Sequence, residues 1–194
     1  MKKTFLLILL SVFCLNLNAQ KKKKVTSKIS KTNVLAKSEN VSVEINKNNF
    51  NIYMVNGKVK DSINIKTIGT TNPMDCKLKL FSTKGNKFYL LTYIEKSIVQ
   101  NPNKTEDITV TYSEVFDIVT KTKVYVNIQK STKITEKVFL DKLKNASETL
   151  EKIRNEGYNF TLLPDGDISL SSKSKSSKLS YDIVSKQYLE PKKR

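Results

Sequence analysis

The feature that most constrains this chain is a period-two alternation of apolar and polar residues, running with interruptions from Val41 to Ile128. Successive side chains of an extended strand point to opposite faces, so alternation of this kind reads as strands with one buried side. Val41, Val43 and Ile45 form one run, and Phe50, Ile52 and Met54 form the next. Asn56-Gly57 follows, and both residue types accept the positive φ of a tight hairpin loop. With those two residues as the loop, Met54 faces Val59 and Phe50 faces Ile63. Ile52 then meets Asp61, the one mismatch in a pairing that otherwise places apolar residues together.

Leu78 and Leu80 begin a further strand, and Lys84-Gly85-Asn86 reads as its turn. The segment Lys87 to Glu95 has Phe88, Leu90 and Ile94 on one face and Tyr89, Leu91 and Tyr93 on the other. A strand apolar on both faces belongs at the centre of a sheet that is covered on both sides. Asn101 to Lys104 marks a loop. Ile108, Val110 and Tyr112, then Val124, Val126 and Ile128, continue the alternation, which predicts an antiparallel meander.

Further on, the spacing changes. Phe139, Leu143, Ala146, Leu150 and Ile153 fall on one helical stripe. Thr135 is placed to cap the start, Glu136 suits the N-terminal dipole, and Gly157 suits the left-handed position past the end. The spacing predicts a helix over 135–156, about 33 Å long, lying across one face of the sheet. Phe160 and Leu162 then lead through the turn Leu163-Pro164-Asp165-Gly166 to Ile168 and Leu170. The expected fold class is α+β: an antiparallel β-meander with one long amphipathic helix packed on one face, followed by a C-terminal hairpin. It forms a single domain over 41–170.

The first nineteen residues carry an address. Lys2 and Lys3 precede an apolar run from Phe5 to Leu15, and Ala19 offers a small residue at a cleavage position. This is the layout of a cleavable signal peptide, and it resembles that of exported bacterial proteins. The run is shorter than the ~20 residues a spanning helix needs, so no integral membrane segment is expected. The expected location is the periplasm or the exterior. Removing residues 1–19 takes away Cys14 and leaves Cys76 alone. One thiol forms no internal disulfide, so the fold must be held by its core, with Cys76 a free thiol or a small buried hydrophobe.

Charge is concentrated at the ends. Beyond residue 19 there are 33 basic and 18 acidic residues, and 11 of the 15 excess positive charges fall in 20–40 and 171–194. The first of these segments contains Lys21, Lys22, Lys23 and Lys24; the second is rich in Ser and Lys and ends in Lys192, Lys193 and Arg194. Both have little to bury and are expected to lack order, with one possible edge strand at 179–184. Only two of the basic residues are arginine. Arginine supplies the planar, bidentate recognition of phosphate, so lysine-only charge points to diffuse attraction to an anionic envelope polymer or lipid surface. Sequence-specific nucleic-acid binding is not expected.

Catalytic motifs are sparse. The chain has no histidine, which removes Ser-His-Asp and Cys-His pairs and histidine zinc sites. There is no glycine-rich phosphate loop. Asp165-Gly166-Asp167 already has an explanation as a turn. No cofactor or metal site is expected, and no catalytic residue stands out. The residues therefore suggest a small exported envelope protein, non-enzymatic, that binds or associates through its surface with its basic tails near anionic material. A second reading is a sheet-borne pocket for a small ligand, lined by Tyr89, Tyr93 and Tyr125. A third is a hydrolase that uses carboxylates alone.

Overall fold

A computed structural model describes residues 33–57 and 59–191. Every regular element in it is a β-strand. The first sheet holds β1 (Asn33–Ser38), β2 (Val41–Asn46), β3 (Asn49–Asn56) and β4 (Val59–Thr67). The second, central sheet holds β5 (Met74–Thr83), β6 (Asn86–Asn101), β7 (Lys104–Asp117), β8 (Thr122–Phe139) and β9 (Ser147–Glu156). The third holds β10 (Asn159–Leu162), β11 (Ile168–Ser171), β12 (Ser176–Asp182) and β13 (Gln187–Leu189). In each sheet the spatial order is the chain order and all pairs are antiparallel.

The doubly apolar segment of β6 organises the three layers. Tyr89, Leu91 and Tyr93 point to one side, where Val41, Val43, Phe50, Ile52 and Met54 of the first sheet meet them. Phe88 and Leu90 point to the other, against Ile168, Leu170, Leu179, Tyr181 and Tyr188 of the third sheet. Ring contacts join the layers: Phe50 meets Tyr93 edge-on at 5.0 Å between centroids, and Phe88 meets Tyr181 at 4.8 Å. Edge-to-face geometry of this kind adds about 0.5–1.5 kcal/mol beyond area burial.

The α+β expectation is overturned. No helix is present among the described residues, and none is long and apolar enough to cross a membrane. Residues 135–139 continue β8, and 147–156 form β9, which returns antiparallel with Phe139 opposite Ser147 and Lys130 opposite Glu156. Between them the Asp141 carboxylate accepts the backbone N–H groups of Asn145 and Ala146 and fixes the reversal. The residues of the helical stripe form no buried face here: Leu143, Leu150 and Ile153 are exposed. The hairpin instead satisfies the β8 backbone from Lys130 to Phe139, and tertiary pairing overrides local propensity.

Three further differences are smaller. In the β3–β4 hairpin Met54 pairs with Asp61, Ile52 with Ile63 and Asn56 with Val59. From Asn51 to Asn56 the register is two residues from the predicted one, which keeps side chains on their faces and moves the Asp61 mismatch from Ile52 to Met54; beyond a bulge at Phe50/Asn51, Phe50 lies opposite Lys66 and not Ile63. Residues 33–38, within the segment expected to lack order, form β1, and Leu35 and Ala36 pack on the first core. The Ser/Lys-rich segment supplies β12 and β13, whose Leu179, Tyr181 and Tyr188 are buried in the second core.

Phe160 pairs with Leu170, and Leu162 with Ile168, around the Leu163–Gly166 turn. Gly166 docks that turn on the β5–β6 hairpin. Its φ is +82°, and a Cβ there would lie 2.5 Å from Thr83 Cβ and 2.9 Å from Ser82 O. Gly85 has a similar φ, +80°, with open space around it. The expected outcome is that Gly85→Ala lowers stability by about 1–2 kcal/mol, from strain alone, and Gly166→Ala by about 2–4 kcal/mol, from strain plus overpacking. Urea denaturation of the two variants measures the difference.

Candidate functional site

The central sheet is longer than its covers. β6, β7 and β8 have 16, 14 and 18 residues, whereas no strand of the flanking sheets exceeds nine. Their distal parts, with β9, extend past both cores and expose Ile98, Val99, Leu150 and Ile153. A polar cleft forms at the root of this extension, where β9 turns into the third sheet.

Gly157 makes the turn possible. Its φ is +83°, and a Cβ would lie 2.4 Å from the backbone oxygen of Ile128, so the chain crosses β8 only because the side chain is absent. The Asn127 amide donates to Tyr158 O at 2.9 Å, and the Gln129 amide donates to Asn159 Oδ1. Facing this turn is the β11–β12 loop, closed by Ser172 N–H donating to Lys175 O at 2.7 Å. The space between them is about 400 Å³.

Gln129, Asn155 and Asn159 bring amides to this cleft, and Ser172 and Ser174 bring hydroxyls. Lys152, Arg154 and Lys173 bring positive charge. No carboxylate is among the described lining residues. Arg154 shares its charge with Glu156, 3.0 Å away, while Lys173 has no ion pair among the described residues. Ammonium, amide and hydroxyl groups together donate hydrogen bonds to anionic oxygens and to sugar hydroxyls.

A larger hollow of about 590 Å³ lies between β12 and the β5–β6 turn, and Lys84, Asp167, Lys178 and Ser180 of its lining are engaged in hydrogen bonds or ion pairs within the chain. Lys178 bridges Asp165 and Asp167 at 3.0 Å each, and the Ser180 hydroxyl donates to Asp167 at 2.8 Å. The Asp165 carboxyl is held below its ordinary pKa by the Asp167 backbone N–H and by Lys178. That arrangement explains the Asp165-Gly166-Asp167 turn as a structural clasp.

The residues singled out from the sequence are dispersed. Tyr89 and Tyr93 are buried in the first core, and Tyr125 packs in the second, so the three rings occupy opposite faces of the central sheet and line no common site. Burial pushes all three hydroxyls above their ordinary pKa. Lys21, Lys22, Lys23, Lys24, Lys192, Lys193 and Arg194 lie outside the described residues. A hydrolase that uses carboxylates alone would draw on side chains such as those of the central strands, where Glu95, Glu106 and Glu114 each pair with a lysine (Lys66, Lys104 and Lys123). Among the described residues, no group of three or more Asp, Glu or Cys side chains is placed to hold a metal ion.

Sequence reading did not find the cleft. Its residues come from β8, β9, the β9–β10 turn and the β11–β12 loop, and no spacing along the chain announces them. The only available signal was the clustered Ser and Lys of 171–178, which read as a solvated tail. No protein-family model matches this chain, and neither a curated protein nor a solved structure matches it.

Cys76 is half-buried against the first core, just after the strained Asp75 (φ +50°) at the β5 bulge. Burial, aided by the Asp75 charge, pushes its thiol up to about 11. A raised pKa keeps the thiol protonated, and therefore unreactive, until the pH approaches that value. In the native chain at pH 8, carbamidomethylation at Cys76 is expected to be about a hundredfold slower than in urea-unfolded chain. The native rate rises with pH toward about 11. Peptide mass spectrometry at Cys76 reads both rates.

Proposed function

We propose that this chain is an exported, non-enzymatic binding protein that holds a segment of an acidic polysaccharide in the cleft between β9 and the β11–β12 loop. The observation that carries this reading is the composition of the cleft: amides, hydroxyls and three cations, with no carboxylate among its described lining. A sugar acid presents carboxylate oxygens and ring hydroxyls in alternation, and this set of donors matches both. The signal-peptide layout of residues 1–19 supports export, and the lysine-rich ends supply longer-range attraction to the same polymer.

Two of the three cleft cations are lysines, which suits a polymer that is gripped along its length by charge and hydrogen bonds rather than at one planar group. Attraction between exposed charges is screened over about 10 Å at 0.1 M salt, so affinity depends on ionic strength.

Polygalacturonate and neutral dextran, titrated by calorimetry across a sodium chloride series, test the reading. Polygalacturonate is expected to bind with an affinity that falls as salt rises, and dextran is expected to bind far more weakly. The double substitution Lys173→Ala/Asn155→Ala is expected to weaken polygalacturonate binding about tenfold, the loss of roughly 1.4 kcal/mol. Equal binding of dextran, or affinity unmoved by the double substitution, rejects the cleft. Retention by anionic lipid vesicles without affinity for polygalacturonate rejects the polysaccharide.

A further inference from the structure

β9 is the outer strand of the central sheet, and all ten of its residues are exposed. It runs beside β8 from Ser147 to Glu156 without a register shift, and it contains no proline. Proteins blunt sheet edges with short strands, bulges, prolines, covering segments or charge, because a bare edge pairs with other chains. The remaining edges here are blunted. β1 lies against β5, and both carry register shifts, at Val34/Ala36 and at Met74/Lys77. β4 pairs with β3 through a shift at Phe50/Asn51. β10 and β13 have four and three residues. On β9 only charge is left, and its pattern is self-complementary.

We propose that β9 pairs antiparallel with β9 of a second copy of this chain, about a two-fold axis at Leu150. A two-fold normal to the sheet keeps each face continuous, so residues that meet must share a face. Glu148, Leu150 and Lys152 share one face, the one carrying their β8 partners Val138, Glu136 and Ile134. With the axis at Leu150, that residue meets its own mate, and Glu148 meets the partner's Lys152 twice over. Moving the axis to Glu151 or Lys152 sets that residue against itself, and moving it to Ile153 sets Lys152 against Arg154. Like charges directly opposite destabilise a pair of strands.

The intramolecular ion pairs select the same register. Glu151 pairs with Lys133 and Arg154 with Glu156 inside the chain. Glu148 and Lys152, the two charges this register uses, have no ion pair among the described residues. The contact covers the exposed Leu150 and joins two five-stranded central sheets into one. It closes on itself and does not propagate, because the opposite edge of the sheet is bulged and flanked by β1. Residues 154–156 lie outside the new ladder, so Arg154 and Lys173 remain available to the cleft; Lys152 is shared between the cleft and the dimer contact, and the dimer is therefore tested with the cleft empty.

Sedimentation velocity over a concentration series tests the proposal, with polygalacturonate absent. The chain is expected to move from one copy to two as concentration rises. Glu148→Lys and Lys152→Glu each set like charges opposite one another at two places and are expected to raise the dissociation constant about tenfold. The combined E148K/K152E chain restores opposite charges and is expected to recover the original constant. Circular dichroism and thermal unfolding of the single variants show that the monomer is intact. A chain monomeric at every concentration, a dimer indifferent to both single substitutions, or a folded double variant that fails to recover overturns the proposal.

Discussion

The architecture depends on the first half of β6. Five of the six residues from Phe88 to Tyr93, all but Thr92, are large and apolar or aromatic, too apolar on both sides for a sheet with one wet face. Each face has to be covered, and the chain covers them in order: the four strands before the central sheet take one face and the four after it take the other. Full burial of each of these side chains contributes about 1.5–3 kcal/mol relative to exposure. The meander topology follows, because short hairpins place neighbours in sequence beside one another and let each sheet form locally before it docks.

Charge is fitted around this core. Lys66 of β4 meets Glu95 of β6, and its ammonium sits 4.8 Å above the Tyr112 ring, so the first sheet is clamped to the centre by an ion pair and a cation–π contact together. Glu114 is nearly fully buried, with Lys123 3.0 Å away and above the Phe116 ring. Glu44 loses hydration on burial, but the Ser42 hydroxyl at 2.6 Å and Lys60 at 2.9 Å more than offset this and hold its carboxyl below the ordinary value. Only Lys66–Glu95 joins two layers; the other two pairs lie within one sheet, and in each case the desolvation of the ions offsets much of their attraction.

Beyond the two cores the central sheet has no cover, and this is where binding chemistry collects. The cleft and the β9 edge both belong to that extension. Its residues show why so little of the site was legible. Gln129, Asn155, Asn159 and Lys173 are ordinary polar residues in sequence, and they matter only because Gly157 lets the chain cross β8 and brings the third sheet back beside β9. Tyr89, Tyr93 and Tyr125 read from the sequence as the lining of one sheet-borne pocket, yet the pairing of β6, β7 and β8 places the first two and the third on opposite sides of one sheet.

What the sequence determined by itself is local. The alternation located most strands from Val41 to Ile128, and the doubly apolar stretch marked β6 as central, because the period of side-chain direction is a property of the backbone. What only the tertiary structure decided is which surface an ambiguous segment would find. Phe139, Leu143, Ala146, Leu150 and Ile153 fit a helix by spacing. The free backbone of β8 offered ten pairings to a returning strand, and both faces of the apolar half of β6 were already covered by the flanking sheets. Burial is set by partners distant in sequence, and a one-dimensional pattern does not contain them.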